Sequence, residues 1–332
     1  MAFGSGGWAT VDGSRVRFYA ADSSQRATVD LHGKEVLVSA PGATVVGVVV
    51  YADEQPSLLQ AKQFSLYDEQ GRKRLSMDGP DFANAVVSPT GNAFVGLKGM
   101  EDFPQVVLQF YNERGQLARS QTVKSFEGGS FCADGSHFLF ETAGEGLQVA
   151  AADGEIEHTI GPTETWGCSV DGRLVGAATS GQLRFFRDGK EIGSMAWPQT
   201  KERIRAIAIS PDGLFAAAVS ANHAAALRLD SVAYLWTKEP DSSGWNFRSI
   251  DLTAGLAEVA IGLDFDPGAQ NPVRHQRSRC WLLDRNGTVG FTFAGTPATW
   301  GARFPQVRFI DSGRRLLFAD RDGAKWFSIA GR

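Results

Sequence analysis

A short turn returns seven times along this chain, each time directly after a short apolar strand. Its form is most often a small residue, any residue, then Asp, Thr or Pro, and then Gly. The copies end at Gly42, Gly91, Gly135, Gly172, Gly213, Gly268 and Gly313. The shortest interval, from Gly135 to Gly172, is 37 residues, and the longest, from Gly213 to Gly268, is 55 residues. Recurrence at this interval indicates a repeated structural unit of short strands.

The residues around the turn predict what each unit contains. The residue three places before the Gly is small in five copies, and the other two copies have Phe265 and Ile310 there. The five small residues are Ser39, Ser88, Cys132, Ser169 and Ser210. A Ser at this place can bond the backbone of the turn, and Gly at the fourth position suits a type I turn. A second apolar strand follows each turn, and a hairpin such as residues 64–71 adds a third and a fourth strand.

A four-stranded unit of this kind cannot bury both of its faces alone, so neighbouring units must cover them. The sequence therefore predicts an all-β fold, a β-propeller, with a single domain over residues 1–332. Seven four-stranded blades agree with the seven turns, and eight blades, two of them incomplete, are the alternative. Residues 305–331 supply three strands, and residues 16–31 supply strands with no first strand before them. We expect strands from both termini to complete one blade, because this closes the open edge of the ring.

The clearest copy of the repeat resembles a known superfamily. Ser-Pro-Asp-Gly at residues 210–213, followed by Leu-Phe-Ala-Ala at residues 214–217, is similar to the repeat of WD40-like and YVTN-like β-propellers. The resemblance covers nearly the whole chain and implies an architecture, not an activity. The chain departs from true WD40 repeats, since no Gly-His pair and no blade-closing Trp-Asp pair occurs.

The net charge, the apolar runs and the cysteines limit the kinds of partner and the cellular compartment that we expect for this protein. The net charge of −4 gives no overall attraction to nucleic acid or to an anionic membrane surface. No apolar run approaches the roughly 18 residues needed to span a bilayer. The three cysteines have no paired spacing, so we expect no disulfide framework and a reduced, cytoplasmic protein. A periplasmic location is the alternative if a signal peptide has been removed.

The sequence has no strong catalytic or metal-binding motif. The five histidines lie on different repeats without ligand spacing, and Gly-x-Ser-x-Gly does not occur. We therefore expect no cofactor and no metal. Asp264 is the only acid in the predicted inner-strand positions before the turns, and it is the candidate for a polar site on the axis. An Asp that is paired locally is the simpler interpretation.

Two groups of residues are candidates for binding a protein or a peptide. The first group consists of aromatic residues near the starts of the first strands, namely Phe82, Phe126, Trp166, Trp197, Trp300 and Phe304. In a propeller such positions lie on one rim, where Trp and Phe often dominate binding. Packing between the blades is the alternative role for these side chains.

The second group lies in two insertions that lengthen the two longest repeats. Residues 239–245, which include Trp245, are predicted between the third and fourth strands of the fifth blade. Residues 267–279, with Arg274, Arg277 and Arg279, are predicted between the first and second strands of the sixth blade. Both insertions should then lie on the face opposite the aromatic rim. The arginines could hold an acidic peptide or a phosphate group, and a merely solvated loop is the alternative.

These observations favour a non-catalytic scaffold for protein–protein interaction. One alternative is a metal-dependent lactonase or hydrolase that uses the axial channel near Asp264. The other is a subunit of a bacterial surface or redox assembly. The oligomeric state and the identity of the partner do not follow from the sequence.

Overall fold

The computed structural model describes most of the chain. The described ranges are 2–4, 7–12, 15–20, 24–30, 36–39, 45–51, 61–68, 70–78, 82–88, 90–98, 105–179, 181–199, 201–265, 277–295, 305–310, 313–320 and 323–329. The chain divides into two compact units, Met1–Pro162 and Thr163–Arg332. Each unit consists of small antiparallel sheets. Within each sheet, strands that follow one another along the chain lie side by side.

The first unit has four sheets of four strands each. The first sheet contains β1 (Ala2–Gly4), β2 (Gly7–Asp12), β3 (Arg15–Ala20) and β4 (Gln25–Asp30). The second contains β5 (Val36–Ser39), β6 (Val45–Tyr51), β7 (Ala61–Asp68) and β8 (Lys73–Asp78). The third contains β9 (Phe82–Val87), β10 (Ala93–Lys98), β11 (Val106–Tyr111) and β12 (Leu117–Val123). The fourth contains β13 (Gly128–Phe131), β14 (His137–Thr142), β15 (Gly146–Ala151) and β16 (Ile156–Gly161).

The second unit has three four-stranded sheets and one three-stranded sheet within the described residues. Its first sheet contains β17 (Thr165–Cys168), β18 (Leu174–Thr179), β19 (Gln182–Arg187) and β20 (Lys190–Ala196). Its second contains β21 (Ala206–Ile209), β22 (Phe215–Val219), β23 (Ala224–Arg228) and β24 (Ala233–Lys238). Its third contains β25 (Trp245–Leu252), β26 (Glu258–Phe265), β27 (Ser278–Asp284) and β28 (Val289–Ala294), with a short 3-10 turn at Ala254–Leu256. The last contains β29 (Gln306–Ile310), β30 (Arg315–Asp320) and β31 (Gly323–Ser328).

The all-β prediction is therefore confirmed, and seven sheets have the predicted four strands. An eighth sheet has three described strands, and the number of blades, seven or eight, stays a prediction. Strands β3 and β4, which we expected to complete the last blade, pair within the first sheet. Closure by both termini and a single domain over the whole chain stay predictions. Within the described residues, no helix is long and apolar enough to cross a membrane.

The turn between the first and second strands is built as the sequence predicted. The hydroxyl oxygen of Ser210 accepts the backbone N–H of Phe215 at 3.0 Å, and that of Ser169 accepts the N–H of Leu174 at 3.0 Å. Because this bond closes the turn, the two apolar strands on either side pair in a fixed register.

The first and second strands of the sixth repeat are not the ones that the turn spacing predicted. Its first strand is β25 and its second is β26, and Thr253 takes the role of the turn Ser by accepting the N–H of Glu258 at 2.9 Å. Gly268, which the spacing had assigned to this turn, lies outside the described residues, between β26 and β27. The placement of Asp264 on a first strand was therefore wrong, since it lies on the second strand.

Each unit has its own apolar core. In the first unit Phe138 is fully buried and contacts four other Phe rings, with the Phe94 ring centre at 4.4 Å. In the second unit a core cluster joins the faces of β21–β24 and β25–β28, and it includes Phe247, Leu263 and Trp281. Buried apolar strands on both faces explain the near-continuous hydrophobic runs of the second strands.

The expectation of reduced cysteines was wrong for two residues. Cys132 and Cys168 are each in a disulfide, whereas Cys280 is free and buried. Burial raises the pKa of the Cys280 thiol to about 12, so its reactive thiolate form is suppressed. The cytoplasmic location stays a prediction.

Candidate interaction site

The candidate site lies at one end of two neighbouring sheets in the second unit. We call the end of a sheet at which its first strand begins the leading end. Because the strands are antiparallel, each second strand ends there and each third strand begins there. Among the described residues, the leading end of β21–β24 and β25–β28 therefore carries residues 201–205, 220–223, 239–244 and Arg277.

This arrangement corrects the predicted positions of the two insertions. Residues 239–244 connect β24 to β25, not the third to the fourth strand of one blade. The arginine-rich insertion lies between the second and third strands, β26 and β27, not between the first and second. Residues 239–244 and the described end of the second insertion, Arg277 to Arg279, therefore lie at the leading end, where the first strands begin.

The centre of the site is an arginine held over an aromatic ring. The guanidinium carbon of Arg279 lies 4.0 Å from the ring centre of Trp245. Trp245 is buried and contacts Phe265, with ring centres 5.4 Å apart. Arg279 also forms an ion pair with Asp241, with 3.3 Å between Nη1 and Oδ2. A cation on an aromatic face in this geometry is held electrostatically while its outer N–H groups stay available to an anion.

A second arginine of the same segment is open to solvent. Arg277 is exposed, and its backbone carbonyl accepts the N–H of Phe265 at 2.8 Å. Within the part of the chain that the structure describes, its side chain has no carboxylate partner. Arg274 lies outside the described residues. The structure thus places Arg279 on the Trp245 ring and the exposed Arg277 directly before β27, and we call these three residues the arginine surface.

A histidine next to this surface lies between two carboxylates, and sequence reasoning missed it. The Nδ1 atom of His223 is 2.9 Å from Oε2 of Glu202, and its Nε2 atom is 3.2 Å from Oε1 of Glu239. Glu202 also accepts hydrogen bonds from Ser220 and from the Asn222 amide, the latter at 2.8 Å. The three acidic and basic groups come from three different loops, so no local motif could have revealed them.

The same network affects the titration of Glu202. Partial burial opposes ionisation, but hydrogen bonds from Ser220, Asn222 and His223 outweigh it and hold the pKa of Glu202 below its usual value. The carboxylate is therefore ionised at neutral pH and fixes the position of the His223 ring.

The acid predicted for the axis has a local partner. Oδ2 of Asp264 accepts a hydrogen bond from Nε of Arg248 at 2.7 Å, between the adjacent strands β25 and β26. Among the described residues, no group of three or more His, Cys, Asp or Glu side chains could hold a metal ion. Asp264 is thus paired locally with Arg248, as the simpler interpretation predicted, and the lactonase alternative stays untested.

The six aromatic residues of the predicted rim differ in burial and in whether the structure describes them. Trp197 is fully buried in the core of the second unit, and Phe126 packs against the phenylalanine core of the first unit, 5.2 Å from Phe94. Trp166 lies half-buried on β17. The side chain of Phe82 and the whole of Trp300 and Phe304 lie outside the described residues. A binding role for these aromatic residues stays a prediction.

Comparison with known proteins is informative about the fold. No protein-family model and no curated protein matches the sequence. The crystal structure of Sqt1 from Saccharomyces cerevisiae is similar with a TM-score of 0.67 and 10% identity, over 99% of this chain and 96% of that chain. KlHsv2 with loop 6CD replaced by a Gly-Ser linker is similar with a TM-score of 0.59 and 10% identity, over 85% of this chain and 88% of that chain.

Both similar structures are WD40 β-propellers. The chain therefore has a β-propeller fold, as the repeated turn had predicted. Because both structures share only 10% of their residues with this chain, the similarity shows the fold and no particular activity.

Proposed function

We propose that this WD40-like β-propeller is a non-catalytic interaction scaffold that binds an acidic segment of a partner protein. The proposed binding surface is the leading end of β25–β28, formed by Trp245, Arg277 and Arg279. The observation that carries the proposal is the Arg279 guanidinium held 4.0 Å from the Trp245 ring centre. Loops on a rigid propeller are suited to present such a surface.

The chemistry of the surface favours a carboxylate over other ligands. The planar guanidinium of Arg279 can donate two parallel N–H bonds to a carboxylate, and the aromatic face beneath it reduces its freedom before binding. Arg277 adds a second, exposed positive charge two residues away. Arginine and Trp are also the residue types that most often dominate binding at protein interfaces.

Charge reversal at both arginines tests the proposal. In a fluorescence anisotropy titration with a labelled glutamate-rich decapeptide, we expect the double variant Arg277→Glu, Arg279→Glu to bind at least about tenfold more weakly than the unaltered protein. Affinity of the unaltered protein should also fall as salt is added, because Arg277 is exposed and Arg279 is partly exposed.

Arg285→Glu is the matched control for this experiment. Arg285 is exposed and lies over the Phe215 ring at 5.5 Å, at the opposite end of the same sheet. This control should leave peptide binding unchanged. An equal loss in the control and the double variant would show a general charge effect, and an unchanged affinity of the double variant would refute the proposed surface.

A further inference from the structure

The segment that joins β24 to β25, residues 239–244, is attached on both sides through acidic side chains. Glu239 contacts Nε2 of His223 at 3.2 Å, and Asp241 contacts Nη1 of Arg279 at 3.3 Å. We call this segment the acidic connector. It joins the loop of the fifth repeat to the arginine surface of the sixth.

Asp241 occupies the position that a ligand carboxylate would take. Arg279 has the Trp245 ring on one side, and its Nη1 donates a hydrogen bond to the Asp241 carboxylate. An acidic side chain of a partner would need the same guanidinium. The chain therefore supplies an internal competitor for the proposed ligand.

We infer that the acidic connector is an intramolecular strap that an acidic partner segment displaces from Arg279. This inference rests on the proposed function, since it concerns the same arginine. Binding is then regulated within the chain, because a carboxylate of the partner must take the place of the Asp241 carboxylate on Arg279.

The exposure of the connector makes this exchange feasible. The side chains of Glu239 and Asp241 are 74% and 53% exposed. Exposed ion pairs of this kind are weak and are screened by salt, so another carboxylate can replace them. Gly244, with φ of 89°, gives the backbone a left-handed turn directly before the buried Trp245.

One side of the strap is fixed more firmly than the other. His223 is mostly buried, and its Nδ1 atom is held by Glu202 at 2.9 Å. A carboxylate therefore faces each ring nitrogen, and the ring joins Glu202 to Glu239. The Glu239 contact thus limits how far the connector moves, while the Asp241 contact is the one that opens.

The removal of the Asp241 charge tests the strap. In the anisotropy titration with the labelled glutamate-rich decapeptide, we expect Asp241→Asn to tighten binding by about two- to fivefold, the range that a weak exposed pair allows. Asp230→Asn is the matched control, because Asp230 pairs with Arg228 at 2.6 Å with exposures of 52% and 53%, away from the leading end. The control should leave the affinity unchanged.

A second measurement needs no peptide and keeps the two proposals distinguishable. In hydrogen–deuterium exchange, we expect the amides of residue 239 and residues 241–244 to exchange several-fold faster in Asp241→Asn than in the unaltered protein. Unchanged exchange would overturn the strap whatever the peptide does. If Asp241→Asn binds the peptide no more tightly than the unaltered protein while the arginine variant loses binding, the strap fails and the proposed function stands. Faster exchange without peptide binding by any form would show that Asp241 holds the connector in place, but it would refute the proposed function and with it the displacement of the strap by a partner.

Discussion

At the scale of single residues, Asp251 is the acid whose surroundings most oppose its charge. It lies on β25, and its carboxylate accepts the N–H of Phe309 on β29 at 2.7 Å. Burial raises the pKa of Asp251 to about 6, although Arg308 and the backbone hydrogen bonds act in the other direction. The folded state therefore binds this proton more tightly than the unfolded state does, and the stabilisation from protonated Asp251 is lost as the pH rises through about 6.

We predict that the free energy of unfolding falls by about 1 kcal/mol through this group between about pH 5 and about pH 7. In Asp251→Asn this pH-dependent loss should be absent, although the variant is less stable overall because one backbone N–H loses its acceptor. Urea unfolding of both proteins at the two pH values measures the difference. An identical change of unfolding free energy with pH in both proteins would contradict the prediction.

Three other acids act in a separate pH range. The pKa values of Asp171, Glu202 and Asp212 are lowered in the folded state, so their stabilisation is lost only as the pH falls below about 4.5.

At the scale of elements, close approach of first strands depends on glycine. A Cβ atom at Gly167 on β17 would lie 2.2 Å from the backbone oxygen of Ile207 on β21. A Cβ atom at Gly176 on β18 would instead meet the Ile207 side chain at 3.0 Å. A backbone atom cannot move without displacing its strand, whereas a side chain can adjust.

We predict that Gly167→Ala lowers the free energy of unfolding by about 1–3 kcal/mol, because the two first strands must separate. Gly176→Ala should cost clearly less, and it serves as the matched control on the same neighbour. Denaturant midpoints of the two variants give the comparison. Equal losses would show that the backbone contact does not set the strand spacing.

At the scale of the whole molecule, stability should come from the buried faces of the sheets and not from the apolar residues on their surface. Leu263 is fully buried in the core of the second unit, whereas Leu214, in a turn of the same unit, is 52% exposed. We predict that Leu263→Ala lowers the free energy of unfolding by about 2–5 kcal/mol and Leu214→Ala by less than about 0.5 kcal/mol. Thermal unfolding monitored by circular dichroism provides the test. Similar shifts in the two variants would contradict this account.

The sequence by itself determined the four-stranded unit, its turn and its apolar strands. These features are local, since strand alternation and turn chemistry involve residues within about ten positions of each other. The sixth repeat shows the limit of such reasoning. Its turn uses Thr253 in place of Ser and has Gly255 earlier than the pattern expects, so the spacing pointed to Gly268 instead.

Only the tertiary structure decided which loops share an end of the sheets. One wrong strand assignment in the sixth repeat moved both insertions to the opposite face and placed Asp264 on the wrong strand. The sequence did single out Trp245, Arg277 and Arg279, but not the contact between Arg279 and Trp245 or the role of Asp241. His223 and its two glutamates were not predicted at all. Their contacts join loops about twenty residues apart, and such contacts depend on strand pairing, which no short motif records.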